Sequence, residues 1–384
     1  MVGIVDAAAY IPRYRLPAQL VAQSWRKPGG RGSRAVANHD EDSLTMAVAA
    51  TGGCLRDGDH VDGVFFASTS APYREKLLSP LVAAVADQPA DVATADFSAS
   101  LRSGTTALAA AADAIGARRL ARVLVAAADQ RLPRPGSELE HLFGDGAAAV
   151  LVGPADEAIA TLDVYRTRND DLLHYWRRDG DRFVSSGDAR YARQEIYLPN
   201  VVEAVRAAID AAGQVQHVVL DAPDPASLRA AAKALGLTQE QVIDPLFDAV
   251  GHTGAAHPLL LLQAALERAE PGERIVVSAY GDGVDVAVLT ATERLRDWRP
   301  QRTVSQLCAD AFELESYQRY LAFRGVLEDA PEESERPFSS ISLLRRTAKQ
   351  DTRLYGARCL SCGRVQYPIP RLCPTGRPRA GSGW

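Results

Sequence analysis

Short runs of mostly apolar residues alternate along the chain with longer segments of helical periodicity. The runs at residues 61–68, 122–128 and 216–221 are apolar at most positions, which is typical of strands buried on both faces. A helical segment opens at Ser43, a residue type that caps helices well, and further helical segments separate the later runs. This alternation predicts an α/β protein.

The second half of the chain repeats the order of the first. Each half has a helix, a buried strand, a turn that opens another helix, a further strand and a Gly-Asp-Gly turn, at residues 144–146 and 281–283. We therefore expect two α/β halves related by a pseudo-two-fold axis, with a mostly parallel sheet. Such an axis would bring the turns at Leu101 and His252 to face each other across a cleft.

The composition changes beyond residue 292. Residues 311–324 have a helical, exposed pattern, and residues 331–337 form a Pro/Glu-rich linker. The predicted units are a first half at 1–165, a second half at 166–292, a helical linker at 293–350 and a truncated zinc-ribbon-like tail at 351–384.

Bulk composition excludes some classes of protein. The 384 residues are 47% hydrophobic and 24% charged, with a formal net charge of −5, which argues against general nucleic-acid or membrane-surface binding. The sequence starts without a basic-then-apolar leader and has no apolar run that could span a bilayer. We expect a cytoplasmic protein.

Three of the five cysteines cluster near the C-terminus. Cys359 and Cys362 form a Cys-x-x-Cys pair, and Cys373 is followed by proline, which is the start of a zinc-ribbon pattern. The fourth cysteine is expected at position 376, which is Gly376. Two interpretations remain open: three thiolates that hold zinc with water or an outside ligand, or a remnant without metal.

Five motifs stand in order along the chain, at residues 40–47, 100–105, 143–149, 251–262 and 280–283. Together they resemble the thiolase superfamily, and within it the hydroxymethylglutaryl-CoA synthase-like group that is related to ketoacyl synthase III. The resemblance covers roughly the first 290 residues. It implies duplicated α/β halves in a layered α-β-α-β-α architecture. The tail resembles an acyl-CoA-associated zinc-ribbon/OB domain.

The family's three catalytic positions carry different residues in this chain. Proteins of this family acylate a cysteine at the start of a helix and use a histidine and an asparagine beside it. The resemblance places Leu101 at the cysteine position, Asp221 at the histidine position and His252 at the asparagine position. Leucine cannot form a thioester, which excludes acyl-enzyme chemistry at residue 101.

The remaining polar groups of the expected cleft are His252, His257, Asp221 and Tyr280. Related proteins without the nucleophile include retro-aldolases, which need a base and a pocket for the developing enolate but no cysteine. His252 is the expected base or oxyanion donor. The structural alternatives are a helix-capping role for His252, a packing role for His257 and a turn role for Asp221.

The resemblance also implies a coenzyme A thioester as substrate. Arg26, Lys27, Arg31 and Arg34 lie in a Gly-rich loop that suits phosphate binding, although a solvated surface loop has the same composition. His174 and Trp176 are expected to line either the pocket or an interface. By resemblance we expect a homodimer and a zinc-ribbon/OB partner protein. The alternative function is a non-catalytic acyl-CoA-binding subunit that supports a partner enzyme.

Overall fold

The computed structural model describes residues 1–56, 58–172, 174–327, 340–370 and Cys373. The predicted linker at 331–337 and Gly376 lie outside these residues. The strands are β1 (Val2–Tyr10), β2 (Tyr14–Pro17), β3 (Ser33–Val36), β4 (Gly63–Ala67), β5 (Ala93–Phe97), β6 (Val123–Asp129), β7 (Gly146–Pro154), β8 (Ala160–Asn169), β9 (Tyr175–Trp176), β10 (Ser185–Ser186), β11 (His217–Leu220), β12 (Arg274–Tyr280), β13 (Gly283–Ala291), β14 (Phe312–Glu313), β15 (Ala357–Arg358) and β16 (Val365–Gln366). The α-helices are α1 (Ala18–Trp25), α2 (Ser43–Cys54), α3 (Ser79–Val85), α4 (Ser103–Gly116), α5 (Ala189–Tyr191), α6 (Leu198–Ala212), α7 (Pro225–Leu235), α8 (His257–Leu266), α9 (Val304–Ala309), α10 (Tyr317–Phe323) and α11 (Ile341–Asp351).

The main sheet shows the predicted duplication. Its order in the described part of the chain is β11-β12-β13-β8-β1-β7-β6-β4-β5, so β8, β13, β12 and β11 mirror β1, β7, β6 and β4 about the centre. The expectation of a mostly parallel sheet is wrong. Strands β6 and β4, β4 and β5, and β11 and β12 pair in parallel, whereas the remaining pairs of this sheet are antiparallel. The returning strand after each Gly-Asp-Gly turn causes this difference.

Helices lie between the two halves of the sheet and on the outer face of each half. α4 packs on β4 and β6, α8 packs on β11 and β12, and the two helices contact each other. α2 covers the outer face of the first half, and α6 covers the outer face of the second. The layered α-β-α-β-α architecture is thus confirmed.

Strand β6 shows why its sequence is apolar throughout. Val123, Val125 and Ala127 face the middle layer, whereas Leu124 and Ala126 face α2. Successive side chains of a strand point to opposite faces, and here both faces are covered.

The segment at 311–324 is exposed along one face, as expected, but its other face packs against the body, and its helix covers only Tyr317–Phe323. β14 pairs with β2, and Tyr317 and Tyr320 are buried beside Leu16. An ion pair anchors its end: Arg324 Nη1 lies 2.9 Å from Asp145 Oδ2, and both side chains are buried. Asp145 also accepts a hydrogen bond from the backbone N–H of Ala37 at 2.7 Å. The first Gly-Asp-Gly turn therefore holds this segment as well as shaping the backbone.

Among the described residues, no helix is both long enough and apolar enough to cross a bilayer.

Candidate active site

The turn that carries Leu101 is clamped to the second half of the chain. Arg102 Nη1 lies 2.9 Å from Asp285 Oδ1 on β13, and Thr105 Oγ1 donates to Asp285 Oδ2 at 2.8 Å. Ala99 has a φ of 74°, a left-handed conformation that is costly for a residue with a side chain. A strained, well-held turn therefore places Leu101 two residues before α4 begins.

Gly104 allows this turn to approach the His252 turn. A Cβ atom at Gly104 would lie 2.4 Å from the carbonyl oxygen of Ala255, so a larger residue does not fit. Ala255 belongs to the short segment that leads from His252 into α8. The predicted proximity of the two turns is confirmed.

A cavity of about 150 Å³ lies against Leu101, and we call it the Leu101 cavity. Its lining includes Ser70, Leu101, Arg131, His174, Trp176 and Tyr280. His252, His257 and Asp221 do not line it, and all three are buried. Of the predicted catalytic residues, Tyr280 is the one that reaches the cavity.

His174 and Tyr280 form a hydrogen-bonded pair on the cavity wall. His174 Nδ1 lies 3.2 Å from the Tyr280 hydroxyl, and the His174 ring stacks on Tyr175 with centroids 4.1 Å apart. Burial lowers the pKa of His174 to about 4, and burial together with Tyr175 raises the pKa of Tyr280 well above its usual range. Both groups are therefore neutral at pH 7.

His252 is hydrogen-bonded at both ring nitrogens. Its Nε2 lies 3.0 Å from Asp221 Oδ1, and its Nδ1 accepts from the backbone N–H of Gly254 at 3.1 Å. Burial alone would raise the pKa of Asp221, but His252 outweighs it and holds this pKa below its usual value. Because Asp221 is ionised and Nδ1 accepts, Nε2 carries the proton. His252 thus has no free nitrogen in this arrangement to take a proton from a substrate.

Asp221 connects this buried group to the cavity. Its Oδ2 accepts from the backbone N–H of Tyr280 at 2.8 Å. His257 stacks on His252 with ring centroids 4.4 Å apart. The potential ligand atoms of Asp221, His252 and His257 all lie within 4.8 Å of one another. The stacked rings and the Asp221–His252 hydrogen bond indicate that these three residues hold one another in place rather than coordinate a metal.

We expect the buried histidines to make the fold sensitive to acid. Burial lowers the pKa of His257 to about 3 and that of His174 to about 4. An unfolded histidine has a pKa near ~6.5, so below this pH the unfolded state binds more protons. Stability should be complete above about pH 6.5 and fall by up to ~1.4 kcal/mol per pH unit and histidine on acidification toward pH 4.

Urea unfolding between pH 7.5 and pH 4.5 tests this expectation. His257→Asn should flatten the pH dependence, whereas His60→Asn, at an exposed position, should retain it. Equal slopes in the two variants would contradict a role for His257.

Cys54 and Ser100 are side chains that could replace a missing nucleophile, and the thiol and the hydroxyl are both buried. Burial raises the pKa of the Cys54 thiol well above its usual value, and Cys54 packs in the core as the last residue of α2. Ser100 Oγ, beside Leu101, is buried without a hydrogen-bond partner among the described residues, so it lacks the adjacent base that activates a serine.

The Gly-rich basic loop divides into an exposed and a buried part. Arg26, Lys27 and Arg31 are exposed, and Lys27 donates to the carbonyl of Gly136. Arg34 is buried, and its guanidinium donates to the backbone carbonyls of Ser33, His141 and Phe247. The prediction that Arg34 binds phosphate is corrected, because its guanidinium is used to hold neighbouring segments together.

A wider groove of about 850 Å³ adjoins the Leu101 cavity, and His174 and Tyr175 line both. Its walls also carry Arg134, Arg190 and Arg193. The sequence left open whether His174 and Trp176 line the pocket or an interface, and both line the Leu101 cavity. Arg131 and the groove arginines are not among the residues that the sequence predicted. A histidine and two aromatic residues in succession at 174–176 were the available signal.

The cysteine tail brings its three thiols together. Cys362 Sγ and Cys373 Sγ are 3.6 Å apart, and all three sulfurs, including Cys359, lie within 4.8 Å of one another. The strands β15 and β16 form the hairpin that carries the first pair. Three converging sulfurs fit the donor chemistry of zinc, which then needs a fourth ligand such as water.

We expect the purified chain to retain about one zinc ion at this site. Cys373→Ser should remove most of it, because two thiolates bind zinc far less tightly than three. Cys308→Ser, outside the cluster, should leave the zinc content unchanged. Elemental analysis after dialysis measures this, and zinc-free wild-type protein would favour the metal-free interpretation.

Comparisons with known proteins agree with this architecture. Residues 95–169 match the 3-oxoacyl-[acyl-carrier-protein] synthase III domain, and residues 207–292 match the C-terminal domain of the same synthase. Residues 346–377 match the rubredoxin-like zinc ribbon domain of ChsH2. The hydroxymethylglutaryl-CoA synthase of Methanopyrus kandleri is 30% identical over 316 residues, which cover 78% of this chain and 90% of that protein. The chain belongs to the hydroxymethylglutaryl-CoA synthase family.

A further member of this family and two solved structures are also similar to this chain. The hydroxymethylglutaryl-CoA synthase of Thermococcus gammatolerans is 29% identical over 320 residues, covering 78% of this chain and 90% of that protein. The structure of MvaS in complex with 3-hydroxy-3-methylglutaryl coenzyme A has a TM-score of 0.73 at 19% identity, covering 86% of this chain and 93% of that chain. A hydroxymethylglutaryl-CoA synthase complexed with CoA has a TM-score of 0.72 at 18% identity, covering 83% and 89%. These structures establish the shared thiolase-like fold.

Proposed function

We propose that this protein performs aldol or retro-aldol chemistry on β-hydroxyacyl-CoA thioesters without a cysteine nucleophile. The observation that carries the proposal is the His174–Tyr280 pair on the wall of the Leu101 cavity, where both side chains are neutral. The family supplies the substrate class, since named relatives are hydroxymethylglutaryl-CoA synthases. Leu101 closes the cavity with an apolar surface that cannot be acylated.

In the cleavage direction the pair moves one proton. The Tyr280 hydroxyl donates to His174 Nδ1 and accepts the proton of the substrate's β-hydroxyl as its own proton passes to His174. The electron pair of the O–H bond forms the new carbonyl, and the Cα–Cβ pair moves into the thioester enolate. The proton on His174 returns to Cα through Tyr280, which leaves a shorter acyl-CoA and restores the site.

The developing enolate needs a favourable electrostatic environment. Helix α4 begins at Ser103, two residues after Leu101, so its positive end lies at the cavity. Asp221, His252 and His257 act here as positioning residues. His257 stacks on His252, His252 is hydrogen-bonded to Asp221, and Asp221 Oδ2 accepts from Tyr280 N at 2.8 Å, which holds the backbone at Tyr280.

The groove beside the cavity suits the rest of the coenzyme. Its arginines, Arg134, Arg190 and Arg193, offer charge-assisted hydrogen bonds to phosphates. The exposed Arg26, Lys27 and Arg31 complete the proposed phosphate-binding surface. Lys27 is linked to the same loop as Arg134 through the carbonyl of Gly136.

An assay with a panel of β-hydroxyacyl-CoA thioesters tests the proposal. The carbonyl product and the shorter acyl-CoA should appear in equal amounts, and iodoacetamide should leave the rate unchanged because no thiol takes part. Loss of turnover on alkylation would overturn the cysteine-independent mechanism.

The alternative, a non-catalytic acyl-CoA-binding subunit, is favoured by one observation. Both ring nitrogens of His252 are occupied, at a position where the family has a catalytic group. Tight binding of acyl-CoA without turnover, with or without a zinc-ribbon/OB partner protein, would support this second function.

A further inference from the structure

Aromatic rings make up much of the lining of the Leu101 cavity. The rings of His174, Tyr175 and Tyr280 line it and contact one another, with His174 centred 4.1 Å from Tyr175 and 5.8 Å from Tyr280. Trp176 lines the same cavity and is half-buried. Among the described residues, the Trp176 ring stacks on no other ring and its side chain makes no hydrogen bond. It therefore offers a stacking surface to a ligand ring.

Arg131 is a buried cation that lines this cavity. It is 4% exposed, and its guanidinium carbon lies 3.9 Å from the ring centroid of Phe143 and 5.1 Å from that of Tyr175. Burial lowers the pKa of Arg131, and the carboxylate of Asp129 offsets part of this effect. The charge thus already has an internal carboxylate and two rings nearby. A further aromatic ring is a favourable neighbour for such a guanidinium.

The hydroxyl groups that line the cavity are already hydrogen-bonded. Thr69 Oγ1 donates to Asp129 Oδ2 at 3.0 Å, and Ser70 Oγ donates to Asp129 Oδ1 at 2.8 Å. Ser70 Oγ also accepts from the backbone N–H of Gln130 at 2.7 Å. These hydroxyls have no further proton to donate, so a polar substituent on the ligand would lose its hydrogen bonds to water without replacement. The cavity therefore favours a neutral group of low polarity.

The size of the cavity fits one six-membered ring. Its volume is about 150 Å³, and an apolar cavity of about this volume in a protein core holds a benzene molecule. Leu101 and Val184 add aliphatic surface to the aromatic lining. Because the His174–Tyr280 pair lines the same space, a ring that fills it lies next to the carbon that carries the reacting hydroxyl.

We propose that the Leu101 cavity binds an aromatic ring on the β-carbon of the acyl group, so that the substrates are CoA thioesters of β-aryl-β-hydroxypropionic acids. This inference rests on the aldol chemistry proposed above and specifies its substrate class. Cleavage breaks the Cα–Cβ bond, the electron pair of the O–H bond forms the aldehyde carbonyl, and the hydroxyl proton ends on Cα. The products are an aromatic aldehyde and acetyl-CoA. Trp176 stacks on the ring, and Arg131 adds a cation–π interaction.

The competing explanation is that the cavity accepts any apolar group of suitable size. A cyclohexyl group has as many carbon atoms as a phenyl group and exposes at least as much apolar surface. Burial of apolar surface alone therefore favours cyclohexyl or leaves the two equal. Stacking on Trp176 and the cation–π interaction with Arg131 require a π system and favour phenyl. The direction of the preference separates the two explanations.

The test measures the binding of 3-phenylpropionyl-CoA and 3-cyclohexylpropionyl-CoA to the wild-type protein by calorimetry. Neither ligand has a β-hydroxyl group, so neither is cleaved. The phenyl ligand should bind roughly 5- to 30-fold more tightly. Trp176→Leu and Arg131→Gln should each reduce this ratio by at least about 3-fold. Val184→Ala, at an aliphatic position of the same cavity, should weaken both ligands alike and keep the ratio.

Equal affinities, or tighter binding of the cyclohexyl ligand, would overturn the proposal, and so would an unchanged ratio in folded Trp176→Leu. Thermal unfolding shows which variants fold, and Trp176→Leu decides if Arg131→Gln does not. A phenyl preference without release of benzaldehyde from 3-hydroxy-3-phenylpropionyl-CoA would retain the ring site and reject the aldol function. Cleavage of aliphatic thioesters without a phenyl preference would do the reverse, so the two proposals fail separately.

Discussion

Tyr280→Phe is expected to lower kcat for β-hydroxyacyl-CoA cleavage by about 10²- to 10⁴-fold, the usual contribution of a general acid–base group. The substitution removes the hydroxyl that meets His174 Nδ1 at 3.2 Å. It retains the ring, which packs edge-on against Tyr197 with centroids 5.0 Å apart. The fold and KM should therefore change little, and steady-state kinetics with thermal unfolding measure both effects.

Tyr175→Phe is the matched control. Tyr175 lines the same cavity and stacks on His174, but its hydroxyl makes only a 3.5 Å contact with the carbonyl of Pro223. Its loss should change kcat by only a few-fold. Similar rates in the two variants would remove Tyr280 from the proposed proton transfer.

Asp145→Asn is expected to reduce the free energy of unfolding by about 3–5 kcal/mol, because it leaves Arg324 as a buried charge without its partner. The two side chains are buried, with Arg324 Nη2 3.0 Å from Asp145 Oδ1 and Nη1 2.9 Å from Oδ2. The same carboxylate holds Ala37 N at 2.7 Å. Urea unfolding monitored by circular dichroism gives the change.

An exposed ion pair provides the comparison. Arg74 and Asp179 form a salt bridge with both side chains mostly in solvent, so Arg74→Gln should cost at most about 1 kcal/mol. A second variant, Arg324→Met, should resemble Asp145→Asn. If both buried-site variants were as stable as Arg74→Gln, the segment at 311–324 would not depend on this anchor.

The order of the elements was predictable because a strand that is buried on both faces has a nearly continuous run of apolar residues. The strands at 122–128 and 216–221 were recognised from continuous apolar residues, and the duplication from repeated element order. Such a run does not show whether the strand pairs in parallel or antiparallel with its neighbours. β7 is as apolar as its neighbours yet pairs antiparallel with β6, to which residues 130–145 connect it, and with β1.

Part of the candidate site followed from the family resemblance. It grouped Asp221, His252 and Tyr280 in one expected cleft, and the structure joins them by hydrogen bonds. Which of them faces a cavity was not predictable, because it depends on packing in three dimensions. Arg34 shows the same limit: its acceptor carbonyls at His141 and Phe247 are 107 and 213 residues away along the chain.

The occupied nitrogens of His252 limit what a thiol on the facing turn could do. A cysteine introduced at position 101 would lie two residues before α4, yet the imidazole of the facing turn is hydrogen-bonded to Asp221 and Gly254. Thioester chemistry would therefore require at least one further substitution, to free or supply a base. Leu101→Cys alone would provide a thiol without a base to activate it.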